Sequence, residues 1–199
     1  MTPMNETLRF YDDNAADYAS ETSGRYQQRL VHHFADALEP GARVLELGSG
    51  GGHDALALIE RGFDVTLVDG SVGLAKEAER RTGKSVRILR FEELDYDEAF
   101  DAIWTSASLL HVSSDALPDV MRRVARALVP SGLVFASFKE ADQDWHDGRG
   151  RFFVAMSADR LRSLAENAGF VVEAIERSQA LSYDGKETTW LAMTATKKN

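Results

Sequence analysis

Apolar positions recur along this chain in two rhythms. Over residues 5–20, Leu8, Tyr11, Ala15 and Tyr18 fall three or four residues apart, the spacing of one face of a helix. Leu30, Val31, Phe34 and Leu38 repeat it and predict a second helix after Gly24, stopped by Pro40-Gly41. Beyond residue 41 short apolar runs alternate with helical stretches. RVLELG, DVTLVDG, SVRILRF, FDAIWTSAS and GLVFASFKE read as strands. HDALALIERG, SVGLAKEAERRTG and SDALPDVMRRVARALVPSG read as helices between them, the last ending near Pro130. Such alternation predicts an α/β fold, a parallel sheet with helices on both faces and right-handed crossovers. Residues 141–152, polar and glycine-bearing, read as a loop. SADRLRSLAENAGF is a helix with Ser157 at its N-cap and Gly169 past its end. FVVEAIERS and TTWLAMTAT close the chain as strands, with Asp184-Gly185 as the hairpin signal between them. The expected sheet is therefore seven-stranded and mostly parallel, with an antiparallel last strand.

Composition narrows the function. A chain of 199 residues buries a sizeable core without staples. It has no cysteine, which excludes disulfides, thiolate metal sites and a cysteine nucleophile. The net charge of −9 disfavours a nucleic acid partner. No apolar run approaches the roughly 18 residues of a membrane span, and no basic-then-apolar leader opens the sequence. A soluble cytoplasmic protein is expected. His32, His33, His53 and His146 show no metal-ligand spacing, so no metal is expected. Nothing in the sequence sets an oligomeric state.

The chemistry concentrates in VLELGSGGGHDALAL, residues 44–58. A buried strand runs into an acid, three spaced glycines and a helix. In open α/β sheets ligands bind beyond the carboxyl ends of the strands, where strand order reverses. Gly48, Gly50 and Gly52 lack a Cβ and would let backbone approach a ligand closely. The dinucleotide pattern G-x-G-x-x-G fails here, because its third glycine would be His53; a phosphate-binding G-K-S/T is absent as well. An unliganded tight turn is the remaining alternative.

With ELGSGGG, residues 46–52, the sequence resembles the class I S-adenosylmethionine-dependent methyltransferases, whose first motif is acid-x-Gly-x-Gly-x-Gly after a buried strand. Further motifs follow in order: Asp69 in VTLVDGS at the end of the second strand, RFEEL at 90–94, FDAIWTSASLLHV, and LVPSGLVFASF. Roughly residues 40–140 carry the likeness, nearest to small bacterial enzymes of the tellurite-resistance and ubiquinone-biosynthesis types. Two places depart from the family: Arg90 stands where an aspartate is frequent, and Pro-Ser-Gly at 130–132 replaces Pro-Gly-Gly.

The resemblance implies a Rossmann-like methyltransferase fold over 1–199. It divides into a helical cap (1–40), a cofactor-binding core (41–140) and a substrate-side loop, helix and end strands (141–199). It implies S-adenosylmethionine held by Glu46, Gly48, Ser49, Gly50, Gly52, Asp69, Gly70, Ser71, Phe91, Glu92, Ser106 and Ala107, with Tyr18 as part of a lid. Asp69 would take the ribose hydroxyls, as one carboxylate suits two vicinal hydroxyls. Ser71 also reads as a helix cap, and Phe91 also reads as core. On the acceptor side Tyr11, His111, Lys139, Arg149 and Arg151 are the candidates, with His111 as a possible base and the cations as a grip for an anion. The expected reaction is in-line methyl transfer to a small-molecule acceptor, driven mainly by positioning. The alternative is a non-catalytic S-adenosylmethionine-binding module. The two differ in whether a second space opens between the fourth strand and the loop at 139–151.

Overall fold

A computed structural model describes residues 3–21 and 25–199. The start of the second predicted helix at Gly24 lies outside them. Three helices lead the chain: α1 (Pro3–Asp13), α2 (Ala15–Glu21) and α3 (Arg25–Asp36). The sequence predicts one helix over residues 5–20, but it breaks at Asn14. That side chain donates from Nδ2 to the Phe10 carbonyl at 2.8 Å, competing with the helix backbone for its acceptor.

The alternation follows as β1 (Arg43–Leu47), α4 (His53–Glu60), β2 (Asp64–Asp69), α5 (Val72–Thr82), β3 (Val86–Ile88), β4 (Phe100–Thr105), α6 (Leu117–Ala127) and β5 (Leu128–Lys139). The chain closes with a two-residue pair, β6 (Trp145–His146) and β7 (Phe152–Phe153), then α7 (Ala158–Asn167), β8 (Phe170–Leu181) and β9 (Glu187–Lys197). The main sheet runs β3-β2-β1-β4-β5-β9-β8. All pairs up to β5 are parallel; β9 is antiparallel to both β5 and β8. The Rossmann-like, seven-stranded sheet is as the sequence predicts. The order reverses between β1 and β4, so the carboxyl ends of these strands flank a crevice.

Three boundaries differ. The sixth helix stops at Ala127 rather than near Pro130, because Leu128 already pairs with Phe100 of β4. The third strand ends at Ile88, and Phe91–Glu93 is a 3-10 turn. The stretch at 141–152 is partly structured: Trp145 stacks on Phe153 at 4.8 Å, and Phe152 and Phe153 are buried.

Two apolar layers sandwich the sheet. One joins Leu45, Leu47 and Ile103 to α6, α7 and Phe138; the other joins Val44, Ala102 and Trp104 to α3 and α4. In the second layer Trp104 stacks on Phe135 at 4.1 Å and meets Phe34 of α3 at 5.1 Å. Rigid layers on both faces leave the strand ends as the place for a ligand. Among the described residues no helix is long and apolar enough to cross a membrane.

Candidate active site

A cavity of about 460 Å³ opens at the carboxyl ends of β1, β2, β4 and β5. Its first wall is the glycine turn after β1. Gly48 and Ser49 donate their N–H groups to the Val68 carbonyl at 2.8 and 3.0 Å, which ties the turn to β2. Asp69 completes the tie, with Oδ2 accepting from Gly50 N and Oδ1 from Ser71 N, both at 2.8 Å.

The three glycines do different things. All have positive φ, a region costly for other residues. A Cβ on Gly48 would lie 2.4 Å from Ser108 Cβ, and one on Gly52 would lie 2.9 Å from Ala78 Cα in α5. These two make room for protein. A Cβ on Gly50 would meet nothing within 4 Å. The expectation that all three admit a ligand is therefore corrected: Gly52 packs α4 on α5 and is off the cavity wall, and Gly51 lines it instead.

Of the acids on the wall, Glu21, Glu46, Asp54 and Asp69, two are buried, Glu46 and Asp69. Glu46, one residue before the end of β1, is buried, and its Oε2 has no hydrogen-bond partner among the described residues. Burial, with Asp54 and Asp69 nearby, pushes its pKa well above the usual carboxylate range. Asp69 is also buried, and burial raises its pKa to about 6 against the N–H groups of Ser71 and Gly50. Ser49 Oγ is likewise buried without a partner among the described residues. A buried acceptor oxygen without a donor is costly. This end is thus built for a ligand bringing a cationic or hydroxylic donor.

Gly70, Leu89 and Phe91 extend the wall, and Ser106 and Ala107 close it after β4. Ala107 holds φ of 51°, and Ser137 Oγ accepts its N–H at 2.8 Å. Such left-handed backbone at a strand end is strain stored beside a pocket. Two other expected residues fall outside. Ser71 caps α5, accepting from Leu74 N at 3.1 Å and donating to Asp12 Oδ1 at 2.6 Å. Glu92, in the 3-10 turn, is not on the wall.

The cavity continues past Ala107 to Tyr11, Tyr18, His111, Lys139 and Arg151. His111 is buried with both ring nitrogens engaged. Nδ1 lies 2.5 Å from the Phe152 carbonyl, which can only accept, so Nδ1 carries the proton. Nε2 then accepts from the Tyr11 hydroxyl at 2.8 Å. Burial, with Arg151 and Lys139 adding to it, lowers the His111 pKa to about 3. Burial raises the pKa of Tyr11 and of Tyr18, so both hydroxyls stay protonated. Arg151 donates from Nη1 to the Tyr11 oxygen at 3.3 Å and from Nε to Asp147 Oδ2 at 2.8 Å. Its Nη2 is 2.8 Å from the same Asp147 oxygen, but at an angle that makes no hydrogen bond.

Arg149 does not reach the cavity. It is exposed, its guanidinium 4.7 Å from the Tyr183 ring centroid. Arg149→Ala is therefore expected to leave cofactor and acceptor affinity unchanged and to cost less than about 1 kcal/mol of stability, as exposed cation–π pairs do. A shifted KM for any acceptor would contradict this placement.

Residues that sequence reasoning missed come from two places. Ala180, Ser182, Tyr183 and Gly185, at the β8–β9 turn, arch over the cavity, and Tyr183 packs on Tyr18 at 4.7 Å. Phe153 and Trp190 form its far wall. The only local signal was the tyrosine inside a hairpin turn.

A buried acid near the end of β1 and another at the end of β2, at the switch point of a Rossmann-like sheet, are chemically suited to a ligand of nucleoside type, which brings hydroxyl donors. Residues 18–175 match the family described as "Methyltransferase domain", and the chain belongs to that family. It is 30% identical over 136 residues to a protein of Staphylococcus carnosus described as an uncharacterized methyltransferase, covering 64% of this chain and 65% of that one. It is 34% identical over 116 residues to the ubiquinone biosynthesis O-methyltransferase of Xanthomonas campestris, covering 55% and 48%. The chain thus spans about half to two thirds of the length of these relatives. In three dimensions it superposes on the 1,6-didemethyltoxoflavin-N1-methyltransferase of Burkholderia thailandensis with a TM-score of 0.77 at 23% identity, over 98% of this chain and 87% of that one.

Proposed function

We propose that this protein is an S-adenosylmethionine-dependent methyltransferase acting on a small molecule. One observation supports the reading best: a single cavity runs from the Glu46–Asp69 end to the Tyr11, Lys139 and Arg151 end, so donor and acceptor can share one space. A non-catalytic binding module needs only the first half. The family supports methyl transfer, and the Xanthomonas and Burkholderia relatives, by their names, methylate.

The residues fit the cofactor. Glu46, with a buried carboxylate oxygen lacking a donor, suits the ammonium of the methionine moiety. Asp69 keeps lone pairs for the ribose hydroxyls while bracing Gly50 and Ser71. Leu89 and Phe91 offer apolar surface to the adenine. When bound, the cofactor supplies a methyl group on a sulfonium, already a good leaving group, so the protein's task is positioning and exclusion of water. Tyr11 and Tyr18 cover the cavity from α1 and α2. His111 holds the Tyr11 hydroxyl in place and, with its pKa near 3, is a positioning residue rather than a base at neutral pH.

Thermal unfolding with S-adenosylhomocysteine tests this reading, with NAD as control. At about 100 times its Kd a ligand adds about 2.7 kcal/mol, or roughly 5–11 °C for a domain of this size. A flat response, or a rise only with NAD, would overturn the assignment.

A further inference from the structure

We propose that the methyl acceptor is a small planar molecule carrying one anionic group, and that Lys139 is its anchor. The inference rests on the proposed methyl transfer and names the substrate class. It begins from a charge imbalance. Arg151 is neutralised by Asp147, with the two side chains 3% and 8% exposed. Lys139, at the end of β5 and on the cavity wall, makes no ion pair within 4.0 Å and no hydrogen bond among the described residues; the carboxylates of Asp184 and Asp147 act on it only at longer range. Its ammonium lies instead against aromatic rings, 4.4 Å from the Phe153 centroid and 5.6 Å from that of Trp190. A half-buried cation with three unused N–H donors is held ready for an anion.

A second observation points the same way. Arg151 also lines the cavity with its side chain 3% exposed, and its Nη2, although 2.8 Å from Asp147 Oδ2, makes no hydrogen bond among the described residues. With Lys139, Arg151 and Lys186 set against Asp147 and Asp184, this end carries one net positive charge and the unused N–H donors of Lys139, in a chain whose net charge is −9. The opposite end presents Glu46 and Asp69. A cationic donor and an anionic acceptor would each meet the matching pole, which orients both without any contact to the reacting atoms. Phe153 and Trp190 on the far wall and Tyr183 in the arch give the Lys139 end aromatic surfaces, which suit a planar body better than a branched one.

Calorimetric titration of the full chain tests this. S-adenosylhomocysteine is titrated first, and absence of binding there would sink the cofactor reading itself. With that ligand saturating, 4-hydroxybenzoate and phenyl phosphate are compared with neutral 4-hydroxybenzamide. At least one anion should bind about tenfold or more tightly than the amide, the scale of one charge-assisted hydrogen bond. A better carboxylate or a better phosphate then names the anionic group. Lys139→Met should abolish the preference and leave S-adenosylhomocysteine affinity as it was; Lys139→Arg should keep the preference. The proposal falls if the amide binds as well as both anions, if neither anion binds, or if Lys139→Met retains the preference.

Discussion

Asparagine at position 69 is expected to weaken S-adenosylhomocysteine binding about 100-fold and to flatten its pH dependence. The carboxylate does two jobs at once. Inward, it accepts N–H groups from Gly50 and Ser71, one per oxygen. Outward, the same oxygens face the cavity. An amide keeps one acceptor and turns an NH2 against one of the two backbone N–H groups, so the turn loosens while a charge-assisted contact to the ligand is lost. Two such losses amount to about 3 kcal/mol. The pH effect has a definite sign. Burial raises the ligand-free pKa to about 6, and hydroxyls donating to the carboxylate favour its ionised form. Binding thus expels a proton below pH 6. Affinity should be level above about pH 7 and weaken as pH falls through 6, approaching tenfold per unit. Glu46, also raised by burial, adds a trend of the same direction in both proteins. Without ligand the sign reverses. An acid whose folded pKa exceeds its unfolded 3.8 favours the fold when protonated, and about 3 kcal/mol of stability is lost as pH rises from 4 through 6. The site residue costs stability that the ligand returns. Calorimetry from pH 5 to 8 on both proteins decides; tighter binding at low pH, or an unaffected Asp69→Asn, would sink the assignment.

The sequence made the sheet legible because β1, β2, β4 and β5 each carry a run of consecutive, mostly apolar buried residues rather than an alternation, the signature of strands covered on both faces. The turn was legible for a related reason. Positive φ at a strand end favours glycine, and an acid beside it is seldom placed there for packing. The cavity roof was not legible. Trp145–His146 and Phe152–Phe153 are too short to show a period of two. The Asn14 break hides inside a good helical pattern, because the side chain that causes it competes only for one carbonyl. Tyr183 meets Tyr18 and Phe10 across most of the chain, and no local rule encodes such a contact. His111 shows the same limit from the other side. Its position after β4 suggested a base, but its partners Phe152 and Tyr11 come from remote segments and leave it neutral with both nitrogens occupied.

Two alanine substitutions two residues apart, Gly48→Ala and Gly50→Ala, should separate scaffold from binding within one turn. Both place alanine at positive φ, with φ of 84° and 52°, at about 1–2 kcal/mol each. There the likeness ends. The Cβ at 48 would sit 2.4 Å from Ser108 Cβ. Ser108 cannot step aside freely, because its hydroxyl donates to the Leu47 carbonyl at 2.7 Å and lies 2.6 Å from Thr105 Oγ1. Overpacking of this kind adds roughly 1–3 kcal/mol. Gly48→Ala should therefore lose about 3 kcal/mol or more, a fall in Tm of roughly 6–12 °C. The Cβ at 50 meets open space, so Gly50→Ala should lose only the backbone cost, a few degrees. Its open space is the cavity, however, and a methyl there stands where the ligand must come. Gly50→Ala should thus fold nearly normally and bind S-adenosylhomocysteine poorly, while Gly48→Ala fails first in stability. Melting curves of both variants with and without the ligand test the pair. Equal melting points, or a full ligand-induced rise in Gly50→Ala, would show that the turn's glycines do not divide the work in this way.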